Sequence, residues 1–538
     1  MSNHVSMTQL EVPDYDLGLR GKLVKSDKTV SPASLAFCTI IYGLSLTDEV
    51  TDTPFSNAEN GYPDMALVPD ESTRIDLPWR PGTQAVIGDH VAPDGRPFEA
   101  SPRAVLKSLI ERYRALDLEP VLGYEYEVWI FEENKDCERG DLTRFQPFGA
   151  TENAYSLTRS AEIDRFAQQF IDRMNEIGIE IEAFHAELGP GFFEFTLTPQ
   201  PALRAADNAA RARQYLRDLC AEHGLRASFM AKPFADKSGA GGHVHSSLAR
   251  DGQNVFASEP GKLSPEGGHY LAGLVSSMPD LALMFNPFVN SYKRIAPGMF
   301  VAEKAAWGYD DRNVACRVLL GGIGSARVEH RRPGADANPY IVADALLAGG
   351  LDASSDPSTC PTPDHVMPAR STCRAISLRP WRCSSRQHLP PICSARPSPS
   401  PMRRPDGPNS NDSSSGCTTR SPTGNCPDTW STSEHTHSDP RPRPVRGTRL
   451  LRGDRHGRLR DPGPVRRLVG KRLTIQAFRS LGLSGDGINA SSFIFAVDLE
   501  MTPLNLPVSN SANGWADIRL VPDLTTLRRV PGSRTQRW

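Results

Sequence analysis

The sequence predicts an α+β protein in which helices are inserted between strands that carry polar side chains on one face. Two observations support this class: apolar residues recur at helical spacing over 160–178 and 203–223, and the segments beside them alternate with the period of a strand. A third observation limits this prediction to residues up to Asp352, because the composition changes abruptly after that residue. With 538 residues, the chain is long enough for two to four domains.

Composition excludes some classes of function. The net charge of −2 gives no electrostatic case for nucleic acid or membrane as a partner. The polar N-terminus lacks the apolar core of a signal peptide, and no apolar run is long enough to span a membrane. Only four of the ten cysteines precede residue 353, and they form no Cys-x-x-Cys pair. We therefore expect a cytoplasmic protein with reduced thiols.

The first hundred residues predict a small β domain. Residues 1–30 have the composition of a flexible lead, and the domain is expected over 31–99. Short strands are predicted at 37–46, 65–69 and 85–87, separated by turns rich in glycine and proline.

Residues 100–352 predict the catalytic domain. Ser101 can cap a helix, with Pro102 in its first turn. The segment from Gly123 to Phe131 is aromatic and β-branched, which is typical of a strand. Further elements are expected in the order helix, strand, helix, over 160–178, Phe193–Leu197 and 203–223, the last ending at Gly224.

Residues 353–472 break this pattern. No lysine occurs between 353 and 470, whereas six of the ten cysteines do. A low-complexity, disordered linker is one interpretation. We favour a second one, a shift of the coding frame near residue 353, because linkers seldom contain scattered cysteine and tryptophan. The C-terminal third is thus predicted to be largely disordered.

The end of the chain repeats its beginning. Residues 56–70 recur as 509–523, including the shared Asn-Gly, the Asp64/Asp517 pair and the closing Val-Pro-Asp. Residues 473–538 therefore predict a partial second copy of the small β domain.

Four segments contain the residues suited to catalysis. Glu125 and Glu127 share one face of the predicted strand, which is either a solvated face or a metal-binding one. The other three are the turn around Glu187 and Glu194, the glycine-rich approach to His243-Val-His245, and the alternating run Arg327-Val-Glu329-His-Arg331. Each alone has a structural explanation. Together, carboxylates with histidines suit Mg²⁺ or Mn²⁺, and the arginines suit phosphate, which indicates phosphoryl transfer from ATP without a P-loop.

Over roughly residues 30–352, these segments occur in the order found in the glutamine synthetase family, which the sequence resembles. Asn290-Ser291-Tyr292-Lys293-Arg294 and Asn338-Pro339-Tyr340 add to the resemblance. It implies an N-terminal β-grasp domain, a catalytic domain on a curved antiparallel sheet, and a homo-oligomeric ring whose active sites are shared between subunits. The family's catalytic domain normally continues past residue 352, where this sequence departs from it.

The resemblance also implies roles for individual residues. Two divalent metals, Mg²⁺ or Mn²⁺, would be held by Glu127, Glu187 and Glu194 and by Glu125, His243 and Glu329. The remaining roles are glutamate binding by Arg294, Arg331, His245 and Gly239, ATP binding by Glu182, His245, Ser247, Arg317 and Arg327, and catalysis by Arg312 together with Arg294. The implied reaction joins the glutamate γ-carboxylate to ammonia or an amine through a γ-glutamyl phosphate.

Departures from the family pattern favour a larger amine over ammonia. Phe300 lies near the place of a glutamate that helps deprotonate ammonium, Phe192 replaces a usual glutamine, and Ser238 replaces a usual asparagine. A desolvated ammonium ion needs anionic partners, which these residues do not supply. Two alternatives are a catalytically inactive, truncated synthetase-like chain and a guanidine kinase, although the expected β-grasp domain argues against the kinase.

Overall fold

The computed structural model describes most of the first 351 residues and a few short segments after them. The described ranges are 6–16, 18–29, 35–133, 146–149, 154–156, 161–296, 300–351, 461–462, 468–469, 472–473, 488–491 and 517–520. Almost all of the segment predicted to be disordered or frame-shifted, and most of the predicted repeat at 473–538, lie outside these residues.

The N-terminal region folds around a six-stranded sheet. Its strands are β1 (Met7–Val12), β2 (Arg20–Lys25), β3 (Ala36–Cys38), β4 (Asp64–Pro69), β5 (Ile75–Asp76) and β6 (Thr83–Val91). The order is β2-β1-β6-β4-β3, with β5 also pairing β6. The central pair, β1 and β6, is parallel, and Leu10 and Val12 of β1 are fully buried beneath it.

Two predictions for this region are wrong. The supposed flexible lead contains β1 and β2, because the apolar side chains of β1 are buried through pairing with the distant β6. The strand predicted over 37–46 is only three residues long and is followed by a 3₁₀ helix, Thr39–Gly43. Both the amide and the hydroxyl of Thr39 donate to the carbonyl of Pro63, which turns the chain there.

The catalytic region alternates helices with strands. Its helices are α1 (Pro102–Arg114), α2 (Ala161–Glu176), α3 (Ala202–Glu222), α4 (Pro265–Ser277), α5 (Ala282–Phe285), α6 (Val289–Lys293) and α7 (Pro339–Gly350). Its strands are β7 (Glu119–Glu132), β8 (Gln146–Pro147), β9 (Ile181–Ala186), β10 (Phe192–Leu197), β11 (Gln200–Pro201), β12 (Leu225–Ser228), β13 (Gly242–Arg250), β14 (Gln253–Asn254), β15 (Ala257–Glu259), β16 (Lys262–Leu263), β17 (Trp307–Tyr309), β18 (Cys316–Leu319) and β19 (Arg327–His330).

One large sheet organises these elements. Its main path is β17-β18-β19-β13-β7-β10-β9, with β8, β11, β12 and β14 attached to β7 or β13. All neighbouring pairs in it are antiparallel except β17 and β18. The long strand β7 is at its centre, and its Tyr124, Tyr126 and Val128 are buried in the main hydrophobic core.

Local sequence signals predicted several of these elements correctly. The side chain of Ser101 caps α1 by accepting from the amide of Ala104, and Pro102 occupies the first turn. The helices expected over 160–178 and 203–223 are α2 and α3, and Gly224 after α3 has a φ of +66°. That left-handed conformation suits glycine and ends the helix.

The remaining strands lie near the end of the chain. They are β20 (Asp461–Pro462), β21 (Leu468–Val469), β22 (Arg472–Leu473), β23 (Ile488–Ser491) and β24 (Asp517–Leu520). β22 pairs with β9 of the large sheet, and β23 pairs with β24. Among the described residues, no helix is both long and apolar enough to cross a membrane.

Candidate active site

The polar side chains of the large sheet come together on one face. Because strand side chains alternate, residues paired across antiparallel strands point the same way. The register forms three cross-strand rows on this face, namely Arg317–Glu329–His245, His243–Glu125–Thr196 and Glu127–Glu194–His185. Residues that are distant in sequence thereby become neighbours.

The first cluster consists of Glu125, His243 and Glu329. The Nδ1 atom of His243 lies 2.9 Å from Oε1 of Glu125 and 3.5 Å from Oε1 of Glu329. Burial alone would raise the pKa of Glu125, but hydrogen bonds with His243 and His245 hold it well below its usual value. These partners therefore favour the ionised form of Glu125.

The second cluster consists of His185, Glu187 and Glu194. The Nε2 atom of His185 lies 3.0 Å from Oε1 of Glu187 and 3.4 Å from Oε1 of Glu194. The imidazole also stacks on the ring of Tyr155, with the centroids 4.6 Å apart. His185 is thus held with one nitrogen toward both carboxylates.

Glu127 lies between the two clusters. Its Oε2 atom accepts a 2.8 Å hydrogen bond from the amide of Gly241, and Glu194 lies opposite it on β10. Burial raises the pKa of Glu127, and the nearby charge of Glu187 adds to that rise. A cation bound here would relieve the repulsion between these carboxylates.

Arginines surround the first cluster. Glu329 accepts a 2.8 Å hydrogen bond from Nη1 of Arg317 and another from Nη1 of Arg331. Burial alone would raise the pKa of Glu329, but these guanidinium groups hold it well below its usual value. Arg294 donates from Nη2 to Nε2 of His243 at 3.1 Å, which leaves Nδ1 of that ring facing Glu125.

His245 links this cluster to a fourth arginine, Arg327. Its Nδ1 accepts from Nε of Arg327 at 3.1 Å, and its Nε2 lies 3.4 Å from Oε2 of Glu125. Glu182 contributes to the electrostatic environment of Arg327, from a position where β9 shifts register against β10. Ser247 is two residues beyond His245, on the same face of β13.

Two glycines allow the backbone to approach Arg294. A Cβ on Gly239 would lie 2.6 Å from Cγ of Arg294 and 2.9 Å from the carbonyl oxygen of Ala231. A Cβ on Gly241 would lie 2.5 Å from Nε2 of His243 and 2.8 Å from Nη2 of Arg294. The glycine-rich approach predicted from the sequence therefore keeps this part of the site compact.

Arg312 and Arg317 form the other end of the site. Arg317 donates from Nε to Oδ1 of Asp310 at 2.9 Å and from Nη2 to Oδ2 of Asp517 at 2.8 Å. Arg312 donates to Oδ1 of the same Asp517. One carboxylate of β24 thus bridges two guanidinium groups of the catalytic region.

Aromatic rings form a wall beside the carboxylates. Phe192 stacks on Trp129 with the ring centroids 4.4 Å apart, and Phe234 meets Trp129 edge-on at 5.3 Å. Phe192 and Trp129 share the face of Glu127 and Glu194, two residues along their strands. This wall gives that end of the site an apolar boundary.

Comparison with known proteins identifies the family. The sequence profile described as the glutamine synthetase catalytic domain matches residues 99–362. A glutamate–isopropylamine ligase from a Pseudomonas species is 34% identical over 357 residues, which cover 65% of this chain and 78% of that protein. The chain belongs to the glutamine synthetase family. The gamma-glutamylputrescine synthetase of Escherichia coli K12 is 33% identical over 326 residues, which cover 59% of this chain and 69% of that protein.

Two solved structures agree with the fold. A structure described as a novel glutamine synthase homolog aligns with a TM-score of 0.57 and 26% identity, covering 65% of this chain and 82% of that chain. A GmaS–ADP complex aligns with a TM-score of 0.56 and 28% identity, covering 66% and 80%. The large sheet and its helices are thus those of a glutamine-synthetase-type catalytic domain.

The glutamine synthetase family implies two divalent metals, and the donor atoms present fit them. In each three-residue cluster, the possible ligand atoms all lie within 4.8 Å of one another. Carboxylate oxygens with one imidazole nitrogen are a suitable donor set for Mg²⁺ or Mn²⁺. The cluster Glu125–His243–Glu329 contains the three residues predicted for one metal. For the other metal, the sequence predicted Glu127, Glu187 and Glu194. The second cluster contains Glu187 and Glu194, but its third member is His185 instead of Glu127.

Sequence reasoning did not assign three ionisable residues, His185, Asp310 and Asp517, to this site. His185 is two residues before Glu187, so the i, i+2 spacing of strand side chains is the signal that could have identified it. Asp310 contacts Arg317 from a turn position with a φ of +47°, which no motif indicates. Asp517 was seen as part of the repeat, but nothing local relates it to Arg312.

Proposed function

We infer that this chain is an ATP-dependent ligase that joins the γ-carboxylate of glutamate to an amine. The observation that carries this conclusion is the single sheet face on which two carboxylate–histidine clusters lie beside buried arginines. Membership of the glutamine synthetase family supports it, since relatives are named as ligases of glutamate with isopropylamine or putrescine. The inactive truncated chain and the guanidine kinase are not favoured.

The reaction proceeds in two transfers. The γ-phosphoryl group of ATP moves to a γ-carboxylate oxygen of glutamate, and ADP leaves. The amine nitrogen then attacks the carbonyl carbon, the carbon–oxygen bond to phosphate breaks, and the nitrogen loses a proton. Two divalent metals would neutralise charge on the phosphoryl oxygens. Their ligands would be the two clusters described above, Glu125–His243–Glu329 and His185–Glu187–Glu194.

The arginines supply the remaining positive charge. Arg312, Arg317 and Arg327 are proposed to face the phosphoryl group, where fixed guanidinium groups stabilise charge as it develops. Arg294 and Arg331 are proposed to bind glutamate. Each has a buried Nε that lacks a hydrogen-bond partner among the described residues, a donor that a substrate carboxylate can use.

The proposed amine is organic. Phe192 lies in the aromatic wall with Trp129, and the carbonyl of Phe300 accepts from Nη2 of Arg331 at 3.3 Å. Aromatic side chains here favour an alkyl-bearing amine over a small ion that needs anionic partners. The names of the two relatives point to the same substrate class.

Phosphate release tests this function. The purified chain is supplied with ATP, glutamate and Mg²⁺, and with either ammonium or one of a panel of mono-, di- and polyamines. We expect release that depends on glutamate and is fastest with an organic amine, and loss of that release in Glu329→Gln. Glu133→Gln is the control, because Glu133 is exposed and lies just after the end of β7. Release with ammonium at rates equal to any amine would contradict the amine preference, and silence with every amine would contradict the ligase.

Finer features of the family remain proposals. We propose that the N-terminal six-stranded sheet is the family's β-grasp domain. We also propose that the large sheet of the catalytic region is curved and that the chain assembles into a ring of identical subunits. The order β2-β1-β6-β4-β3 with a parallel central pair is compatible with the first of these. Size-exclusion chromatography with light scattering tests the last, since a ring elutes far above the 58.9 kDa of one chain.

A further inference from the structure

Two consecutive arginines hold the segment from Phe300 to Ala302, the 300–302 segment. The carbonyl of Phe300 accepts from Nη2 of Arg331 at 3.3 Å, and the carbonyl of Ala302 accepts from Nη1 of Arg332 at 2.7 Å. Arg331 also donates to Glu329 of the first cluster. The 300–302 segment is therefore separated from that cluster by one side chain, and its position is set by the two residues that follow β19.

The backbone of the 300–302 segment is strained. Phe300 has a φ of +54°, in the left-handed region that a bulky side chain rarely adopts. Such a conformation persists only where the surrounding contacts determine it. Here guanidinium groups hold the first and the last carbonyl of the segment. Loss of either contact would allow the backbone of Phe300 to relax.

Arg332 is a costly residue for such a contact. Its side chain is 1% exposed, and no carboxylate among the described residues offsets its charge. Burial, together with the positive charge of Arg294, lowers the pKa of Arg332 to about 10, so the guanidinium is still charged at neutral pH. Arg103 is equally buried but contacts three aspartates. Because a buried charge without a counterion destabilises a fold, stability does not explain Arg332. Residues that break such a rule are expected at functional sites.

We propose that Arg332 is a positioning residue for the amine substrate, which it serves by holding the 300–302 segment, and with it Phe300, at the amine end of the site. This proposal rests on the proposed function, because that function places an organic amine near Phe300. Arg332 acts through the carbonyl of Ala302. Arg294, proposed to bind glutamate, is held by the backbone carbonyls of Arg331 and Arg332, and a change of side chain leaves those carbonyls in place.

Steady-state kinetics separate this role from a general one. Phosphate release is measured in the full-length chain, Arg332→Met and Arg332→Lys while the concentration of the fastest amine of the panel, of glutamate or of ATP is varied. Methionine fills much of the same space but cannot donate a hydrogen bond, whereas lysine keeps a charged donor. If the segment is in place about one-tenth of the time in Arg332→Met, the apparent KM for the amine rises about ten-fold.

The other substrates provide the internal comparison. We expect the KM values for glutamate and ATP to stay unchanged in Arg332→Met, and Arg332→Lys to recover most of the loss for the amine. An unchanged KM for the amine in Arg332→Met would overturn the proposal. An equal rise in the KM values for all three substrates would overturn it as well.

Thermal unfolding of Arg103→Met is the matched control. This variant removes a buried arginine of the same size, but one with three carboxylate partners. We expect it to lower the Tm by roughly 10 °C without changing the KM for the amine, whereas Arg332→Met should keep the Tm within about 4 °C. A larger loss of Tm in Arg332→Met than in Arg103→Met would show that Arg332 is a structural residue.

Amide hydrogen exchange tests the contact without activity. In Arg332→Met, the amides of residues 301–303 should exchange faster than in the unchanged chain, while those of β18 keep their rates. Equal exchange over 301–303 in the two chains would overturn the positioning role and leave the ligase intact. If the unchanged chain releases no phosphate with any amine, the proposed function falls, and the role of Arg332 toward the amine falls with it.

Discussion

His243 shows how closely the site depends on single residues. Its Nε2 accepts from Arg294, its Nδ1 faces Glu125, and Gly241 lies against the same ring nitrogen. In Gly241→Ala, the added methyl group would lie 2.5 Å from Nε2 of His243, so the ring and Arg294 must move. We expect at least a 100-fold loss of kcat/KM, since misplacing catalytic groups by about 1 Å costs that much. Steady-state phosphate release measures it.

A glycine in a roomy position provides the control for that substitution. A Cβ on Gly268 of α4 would make only one contact within 4 Å, with Leu263 at 3.8 Å. Because alanine favours a helix over glycine by about 0.5–1 kcal/mol, Gly268→Ala should keep full activity and slightly raise the free energy of unfolding. Full activity in Gly241→Ala would mean that the close approach to His243 does not hold the site together.

Metal binding should stabilise the folded chain. The carboxylates of both clusters are packed within 4.8 Å of one another or of a histidine, and their repulsion is relieved when a divalent ion binds. A ligand at 100 times its Kd adds about 2.7 kcal/mol to the free energy of unfolding. We therefore expect Mn²⁺ to raise the Tm of the metal-stripped chain and Glu194→Gln to reduce that rise. An identical Tm with Mn²⁺ and with chelator would contradict the two-metal assignment.

At the scale of single elements, α1 connects the N-terminal sheet to the catalytic region. Its Arg103 is fully buried and reaches Asp70, Asp89 and Asp207 at 2.8, 2.7 and 2.9 Å. Asp70 and Asp89 belong to the N-terminal region, and Asp207 to α3. Arg103→Met leaves these carboxylates without their shared cation, so we expect a loss of about 3–5 kcal/mol in the free energy of unfolding, measured with urea.

Lys107 offers a matched comparison on the same helix. Its ammonium lies 2.7 Å from Asp89 and 3.4 Å from Asp70, but its side chain is 39% exposed. Exposed ion pairs contribute about 0–1 kcal/mol, so Lys107→Met should cost far less than Arg103→Met. Equal losses in the two variants would show that burial does not decide the strength of this network.

The elements that the sequence predicted are those whose signals are local. α1 carries its own cap at Ser101, and α3 its own stop at Gly224, so each could be recognised without knowing its neighbours. β1 was missed because its strand character depends on pairing with β6, over seventy residues later. The apolar run after Cys38 is buried in a 3₁₀ helix. A short apolar run does not by itself show whether the segment is helical or extended, so the sequence did not predict this helix.

The same distinction applies to the site. Glu125, His243 and Glu329 were grouped because their motifs occur in the family's order, and the register of β7, β13 and β19 brings them together. His185 and Asp310 carry no such motif, and only pairing between distant strands and a turn brings them to the site. Whether any of these residues binds metal or substrate stays a prediction.

At the scale of the whole molecule, a second buried network joins β1 of the N-terminal sheet to α3 of the catalytic region. Glu11 of β1 is 2% exposed and accepts from Nε of Arg211 at 2.7 Å and from the hydroxyl of Tyr215 at 2.6 Å, both on α3. Together with the Arg103 network, it ties the N-terminal sheet to the helix behind the large sheet. Domains coupled in this way are expected to unfold together.

Glu11→Gln tests that coupling. The variant leaves the buried guanidinium of Arg211 without its carboxylate, so we expect a loss of about 3–5 kcal/mol in the free energy of unfolding. Tyr215→Phe removes only a hydroxyl from the same network and should cost about 1 kcal/mol. Because both regions unfold as one unit, amide exchange in β6 and in β7 should accelerate by the same factor in Glu11→Gln. Faster exchange in β6 alone would show instead that the N-terminal sheet opens without the catalytic region.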